Sequence, residues 1–132
     1  MSTQTPPAAE KKSTVSIKVD GKPVEARPDR PLLYSLLEAG VPVPHYCYHP
    51  GLAIAGNCRM CLVKVKGMPR CQIACNTFPK EGMEVISEDD DEVARNREIM
   101  MEFLLINHPL DCPVCDQAGE CWLQDYYMQH GL

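Results

Sequence analysis

The sequence predicts an α+β fold: a small sheet with one packed helix, followed by a helical, loop-rich segment. Three observations predict it. Short alternating apolar and polar runs recur between Thr14 and Ser87, the period of half-buried strands. Leu32, Leu33, Leu36 and Leu37 have helical spacing and lie between the second and third of those runs. Two irregular stretches, 41–57 with Cys47 and the cysteine-rich 108–121, stand where a compact domain normally has short connections.

Residues 1–12 are polar and proline-containing and read as a flexible leader. Thr14 to Val19 alternates, with Val15, Ile17 and Val19 on one face. Asp20-Gly21 is a type I′ hairpin signal, because glycine tolerates positive φ, and Lys22 to Ala26 is the return strand. Pro31 opens a helix that Gly40 stops. Val41 to Asn57 holds three prolines and two glycines with little periodicity and reads as a functional loop. Cys61 to Lys66 is the next strand, and Gln72 to Thr77 and Glu84 to Ser87 are short strand candidates. Ser87 to Asp90, followed by Asp91 and Glu92, resembles a capping box with acidic groups at the positive end of a helix. That helix is expected to run to about Asn107 with Val93, Met100, Phe103 and Leu104 inward. A last short helix is expected near Glu120 to Met128.

The chain has 132 residues, 13 Lys+Arg against 18 Asp+Glu, and a formal net charge of −5. It has no basic run to neutralise phosphates, which argues against nucleic-acid binding. Its start lacks the apolar core of a secretory signal. No apolar run approaches the ~18 residues that span a bilayer, so no direct membrane insertion is expected. The chain therefore reads as cytoplasmic, where thiols stay reduced and clustered cysteines usually mean metal. Eight cysteines then need an owner.

The first set reads C-x10-C-x2-C, through Cys47, Cys58 and Cys61, with Cys71 and Cys75 both within reach as a fourth ligand. Four thiolates fit iron–sulfur or zinc. Zinc sites more often show two short-spaced pairs, and here one long loop wraps the first ligand, which favours a two-iron cluster. Spacing alone does not separate Cys71 from Cys75, and the spare one reads as a small buried hydrophobe. The spacing also departs from the plant-type C-x4-C-x2-C pattern. The second set, His108, Cys112, Cys115 and Cys121, reads H-x3-C-x2-C-x5-C and is punctuated by Pro109, Pro113 and Gly119. A structural zinc site of three cysteines and one histidine is its rival. A thioredoxin-like reading of Cys112 to Cys115 lacks the βαβ context.

The residues HYCYHPGLAIAGNCRMCLVKV at 45–65, IACNT at 73–77 and NHPLDCPVCDQAGECWLQD at 107–125 carry a family resemblance. With them the chain resembles the N-terminal part of the large iron–sulfur subunit family of NADH-quinone oxidoreductase (respiratory complex I). The resemblance covers nearly all of residues 14–130. It implies a ubiquitin-like β-grasp [2Fe–2S] ferredoxin domain over 13–88. Over 89–132 it implies a helix and a [4Fe–4S] segment with one histidine and three cysteine ligands. It implies Cys47, Cys58, Cys61 and Cys75 for the [2Fe–2S] cluster. For the [4Fe–4S] cluster it implies His108, Cys112, Cys115 and Cys121. The last binuclear ligand follows a small residue in that family, as in Ala74-Cys75, which leaves Cys71 unassigned. Family members continue with further cysteine motifs and a molybdopterin-oxidoreductase-like region, so the 89–132 segment is expected to be incomplete at its C-terminus.

The implied function is single-electron transfer from an NADH-oxidising flavoprotein partner toward quinone, within a multi-subunit oxidoreductase. The complex would lie on the inner face of the bacterial plasma membrane. The alternative is an electron-entry module of an iron hydrogenase, NAD-linked hydrogenase or formate dehydrogenase, and the rival outside redox chemistry is a zinc-stabilised interaction domain. No catalytic residue or substrate site is visible, and no glycine-rich nucleotide loop is present. His45, His49 and His130 read as structural, and Trp122, Tyr126 and Tyr127 as packing or interface residues. Backbone N–H groups near Gly51, Gly56 and Gly119 are candidate donors to cluster sulfurs.

Overall fold

A computed structural model describes residues 13–130. The expected leader at 1–12 lies outside the described residues. Strands β1 (Val15–Val19) and β2 (Lys22–Ala26) form the hairpin, with Ile17 opposite Val24. Asp20 and Gly21 both take positive φ, at 49° and 81°, as a type I′ turn requires. Helix α1 (Leu32–Glu38) follows, with Pro31 as its N-cap and Ala39 as its C-cap, so it ends just before Gly40. Strands β3 (Leu62–Val65), β4 (Gln72–Ile73) and β5 (Glu84–Ile86) complete a five-stranded sheet in the order β2-β1-β5-β3-β4. The pair β1–β5 is parallel, and β3 is antiparallel to both β5 and β4.

Leu32, Leu33 and Leu36 of α1 are fully buried against Ile17, Val19, Val63 and Val85 of the sheet. Cys61 and Cys75 belong to this same core. The fold is thus the expected α+β sheet with one helix across it. The expected strand at 72–77 is shorter than the sequence suggests. After Ile73 the chain turns into a 3-10 turn over Ala74–Asn76, closed by Thr77 Oγ1 donating to the Ile73 carbonyl at 2.8 Å.

Helix α2 (Asp91–Leu105) begins at Asp90, whose side chain accepts from the N–H groups of Glu92 at 2.9 Å and Val93 at 3.2 Å. Ser87 does not act as the cap; its hydroxyl is buried and accepts from Arg97. The inward face also differs from the expected one. Val93, Arg97 and Met101 are buried at i, i+4 and i+8, whereas Met100 is half-buried and Phe103 and Leu104 are exposed. Sequence weighting favours the bulky apolar residues. The helix instead packs on β3 and Ser87 through the stripe of Val93, Arg97 and Met101. Helix α3 (Trp122–Gln129) closes the described chain.

This assignment of the buried face predicts unequal mutational costs. Met101→Ala should lower unfolding stability by about 2–4 kcal/mol, as for other large-to-small core changes. Phe103→Ala, at a side chain 67% exposed, should change it by less than ~0.5 kcal/mol. Urea unfolding of both variants checks this, and the reverse order would place the α2 face wrongly.

Candidate metal centres

The first cysteine set gathers where the sheet gives way to the long loop. Cys61 immediately precedes β3, Cys75 sits in the 3-10 turn after β4, and the Ala74 N–H donates to the Cys61 carbonyl at 3.0 Å. The sheet register alone therefore brings Cys61 and Cys75 side by side. Cys47 and Cys58 come from the loop, whose backbone curls at Gly56 (φ +63°) and Arg59 (φ +58°). Gly56 is required twice over, since a Cβ there would also meet Ile73 Cδ1 at 3.3 Å.

That curl turns a row of amides inward. Burial pushes the Cys47 thiol up, but the backbone N–H groups of Cys58, Asn57 and Gly56 facing its sulfur outweigh this and leave it lowered. Cys61 is raised by burial. Cys75 is pushed up to about 12, first by burial and then by the neighbouring Cys61, Cys47 and Cys58 sulfurs. The four thiols act on one another at close range, Cys58 on Cys47, and Cys61, Cys47 and Cys58 on Cys75. Cys71 stands apart, its sulfur accepting from Asn96 Nδ2 of α2 at 3.4 Å.

His108, Cys112, Cys115 and Cys121 line one cavity of about 170 Å³. Each is placed by a local turn. His108 donates its N–H to the Leu105 carbonyl as α2 ends, and Cys112 opens a 3-10 turn over Cys112–Val114. Cys115 closes that turn onto the Cys112 carbonyl at 3.2 Å, and Cys121 is the N-cap residue of α3. His108, Cys112 and Cys115 are exposed at this end of the chain. Near Gly56 the backbone amides face Cys47, whereas the Gly51 N–H itself donates to His49 Nδ1 and the Gly119 N–H to Gln124 Oε1, both at 3.0 Å.

An aromatic clasp joins the two sets, and the residue pattern alone did not predict it. Tyr126 Oη lies 3.4 Å from the His45 amide and 3.5 Å from its carbonyl. Tyr46 packs edge-on to Tyr126 at 5.2 Å and donates to the Trp122 carbonyl at 3.5 Å. Burial pushes the Tyr46 phenol up, with Tyr126 and the Cys121 and Cys58 sulfurs adding to it, so Tyr46 lies between one cysteine of each set. His45 stacks edge-on to Trp122 at 5.6 Å. The signal was present as aromatic residues flanking Cys47 and an i, i+4 pair at Trp122 and Tyr126 directly after Cys121.

The donor chemistry fits thiolate-ligated centres, with four cysteines in the first set and three cysteines and one histidine around a single cavity in the second.

Residues 12–90 match the model of the 2Fe-2S iron-sulfur cluster binding domain. The chain belongs to that family. Residues 97–132 match the NADH-ubiquinone oxidoreductase-G iron-sulfur binding region, so both a [2Fe–2S] and a [4Fe–4S] centre are supported. The 78 kDa subunit of mitochondrial NADH-ubiquinone oxidoreductase from Neurospora crassa is 46% identical over 93% of this chain and 16% of that relative. An NADH-quinone oxidoreductase subunit from Rickettsia conorii is 47% identical over 89% of this chain and 17% of its own length. A chain in the crystal structure of an NAD+-reducing [NiFe]-hydrogenase in the H2-reduced state superposes with a TM-score of 0.81 at 30% identity. The match covers 91% of this chain and 50% of that one. The chain thus spans about a sixth of the curated relatives it matches. Among the described residues no helix is long and apolar enough to cross a membrane.

Gly56→Ala should impair the first centre selectively, because it strains the curl and moves the amides facing Cys47. Iron and acid-labile sulfide per chain after anaerobic reconstitution should fall toward the content of the [4Fe–4S] centre alone. Full loading of both centres would show that the curl is dispensable.

Proposed function

We propose that the chain is an iron–sulfur electron-transfer segment of NADH-quinone oxidoreductase, passing single electrons from an NADH-oxidising flavoprotein partner toward quinone. The observation that carries this is the assembly of two separate thiolate-rich donor sets in one chain, joined by the Tyr46–Tyr126 clasp. Cys47, Cys58, Cys61 and Cys75 would hold the [2Fe–2S] cluster. His108, Cys112, Cys115 and Cys121 would hold the [4Fe–4S] cluster. The two units divide at about residue 88. The assembly lies in the cytoplasm, peripheral on the inner face of the bacterial plasma membrane.

The clusters supply one-electron chemistry, and the protein supplies binding, orientation and electrostatics. The Cys75 backbone N–H faces the Cys61 sulfur, as the 56–58 amides face Cys47. Such donors stabilise thiolate charge and favour the reduced state. His108 enters as a neutral imidazole where a fourth thiolate would add a negative charge, which also favours reduction. The raised Cys61 and Cys75 thiols must lose protons on loading, so binding releases protons and couples to folding.

The hydrogenase electron-entry reading is favoured by one observation, the 0.81 TM-score to a chain of that enzyme. The relatives at 46–47% identity are complex I subunits, and they weigh more.

Anaerobic reconstitution followed by electron paramagnetic resonance of the dithionite-reduced protein tests the assignment. Two signals are expected, one binuclear and one from a [4Fe–4S] centre. A colourless, silent protein with stoichiometric zinc would refute it. Cys71→Ser should keep both signals and Cys75→Ser should lose the binuclear one; the opposite pattern would move the fourth ligand to Cys71.

Loading should also order the loops. Amide hydrogen exchange over 45–61 and 108–121 should slow at least about tenfold on reconstitution, since both segments take their donors from irregular backbone. Equal protection in apo and loaded protein would separate loop order from loading.

A further inference from the structure

Arg97 is a buried charge that packing does not explain. It sits in the second turn of α2 and is only 4% exposed. Its flanking buried neighbours on the same face, Val93 and Met101, are apolar. Its hydrogen bonds go to neutral oxygens: Nε and Nη2 donate to the Leu62 carbonyl at 3.2 and 3.0 Å, and Nη2 donates to Ser87 Oγ at 3.0 Å. A neutral amide would satisfy the same acceptors without the cost of desolvating a guanidinium. A charge in this place therefore needs negative charge nearby. Glu88 and Asp20 face it, and so do the sulfurs of Cys61 and Cys71. His130 lies close enough to be held neutral by it as well as by its own burial. Leu62, which Arg97 grips with two donors, is bonded directly to Cys61.

We propose that Arg97 is a positioning residue that raises the reduction potential of the centre held by Cys47, Cys58, Cys61 and Cys75, by setting one fixed positive charge behind Cys61. This rests on the assignment of a [2Fe–2S] centre to those four cysteines. One electron enters from an external one-electron donor, and the centre becomes more negative by one charge. Arg97 exchanges no proton, since its guanidinium stays protonated. A fixed cation in a low-dielectric surround favours the more negative state, so its removal makes reduction harder. The grip on Leu62 holds that charge at a constant distance from the Cys61 sulfur.

The test is a redox titration of the full chain after anaerobic reconstitution, followed by electron paramagnetic resonance of both centres. Arg97→Gln keeps a hydrogen-bonding group and loses the charge. It should weaken reduction of the binuclear centre about tenfold, a negative shift of ~59 mV for one electron. Arg97→Lys, which keeps the charge, should restore most of the potential. Arg97→Met removes the charge from a side chain of similar length and should shift the potential the same way as Arg97→Gln. The [4Fe–4S] signal serves as an internal reference and should not move. Wild-type binuclear potentials in Arg97→Gln and Arg97→Met would overturn the inference and leave Arg97 a tie between α2 and the sheet. If Arg97→Gln fails to load, Arg97→Met decides alone. Absence of any binuclear signal in the wild-type chain would refute the site assignment, a result distinct from a normal signal at an unshifted potential.

Discussion

The structure depends on two thiols, Cys61 and Cys75, that belong to the hydrophobic core and to a donor set at once. Burial makes both hard to ionise, and their neighbours are two more thiols of the same prospective sign. Such a group is stable while protonated and becomes stable as thiolates only when positive metal charge replaces the protons. The sheet can form from its own apolar faces, since α1 covers it with leucines and β1, β5 and β3 contribute valines and an isoleucine. The 41–61 loop is anchored in that core through Val43, Met60 and Cys61. Between those anchors its curl at Gly56 aims amides at Cys47 rather than at another strand.

The second donor set is built on opposite terms. Its turns are local, its residues are mostly exposed, and almost nothing of it enters the core. What ties it to the sheet domain is the contact of α3 with the loop through Tyr126, Tyr46, His45 and Trp122. These aromatic residues are close in sequence to Cys47 on one side and to Cys121 on the other. The same few side chains therefore fix the distance between the sets, and the rate of electron passage between two centres depends on that distance.

Much of this was legible in the sequence because it is local. The Asp20-Gly21 hairpin, the leucine face of α1 and the end of that helix before Gly40 follow from backbone preference and periodicity. The grouping of the cysteines into two clusters was legible in their spacing, and the full ligand sets only in the family resemblance. What the sequence hid is what long-range packing decides. Spacing leaves Cys71 and Cys75 equal, whereas the 3-10 turn after Ile73 carries Cys75 into the core beside Cys61 and Cys71 faces Asn96. The inward face of α2 differs from the expected one because Phe103 and Leu104 are the bulkier apolar residues, yet the buried stripe is Val93, Arg97 and Met101. Arg97 reads as a surface charge in any periodicity count, and only the position of Leu62 and Ser87 makes it interior.

In the proposed assignment, the two surroundings oppose each other in their effect on added charge. The first centre lies against the core, where low dielectric resists the extra electron. Three amides facing Cys47, the Cys75 amide facing Cys61 and the buried Arg97 work against that resistance. The second lies at an exposed end, where water already lowers the cost of charge, and its compensation is a ligand change, one imidazole in place of a thiolate. Each site thus carries a device suited to its depth, and neither device would serve the other well. A buried imidazole would leave the amide row of the first loop without a charged acceptor. An interior guanidinium behind the second set would have no interior to occupy.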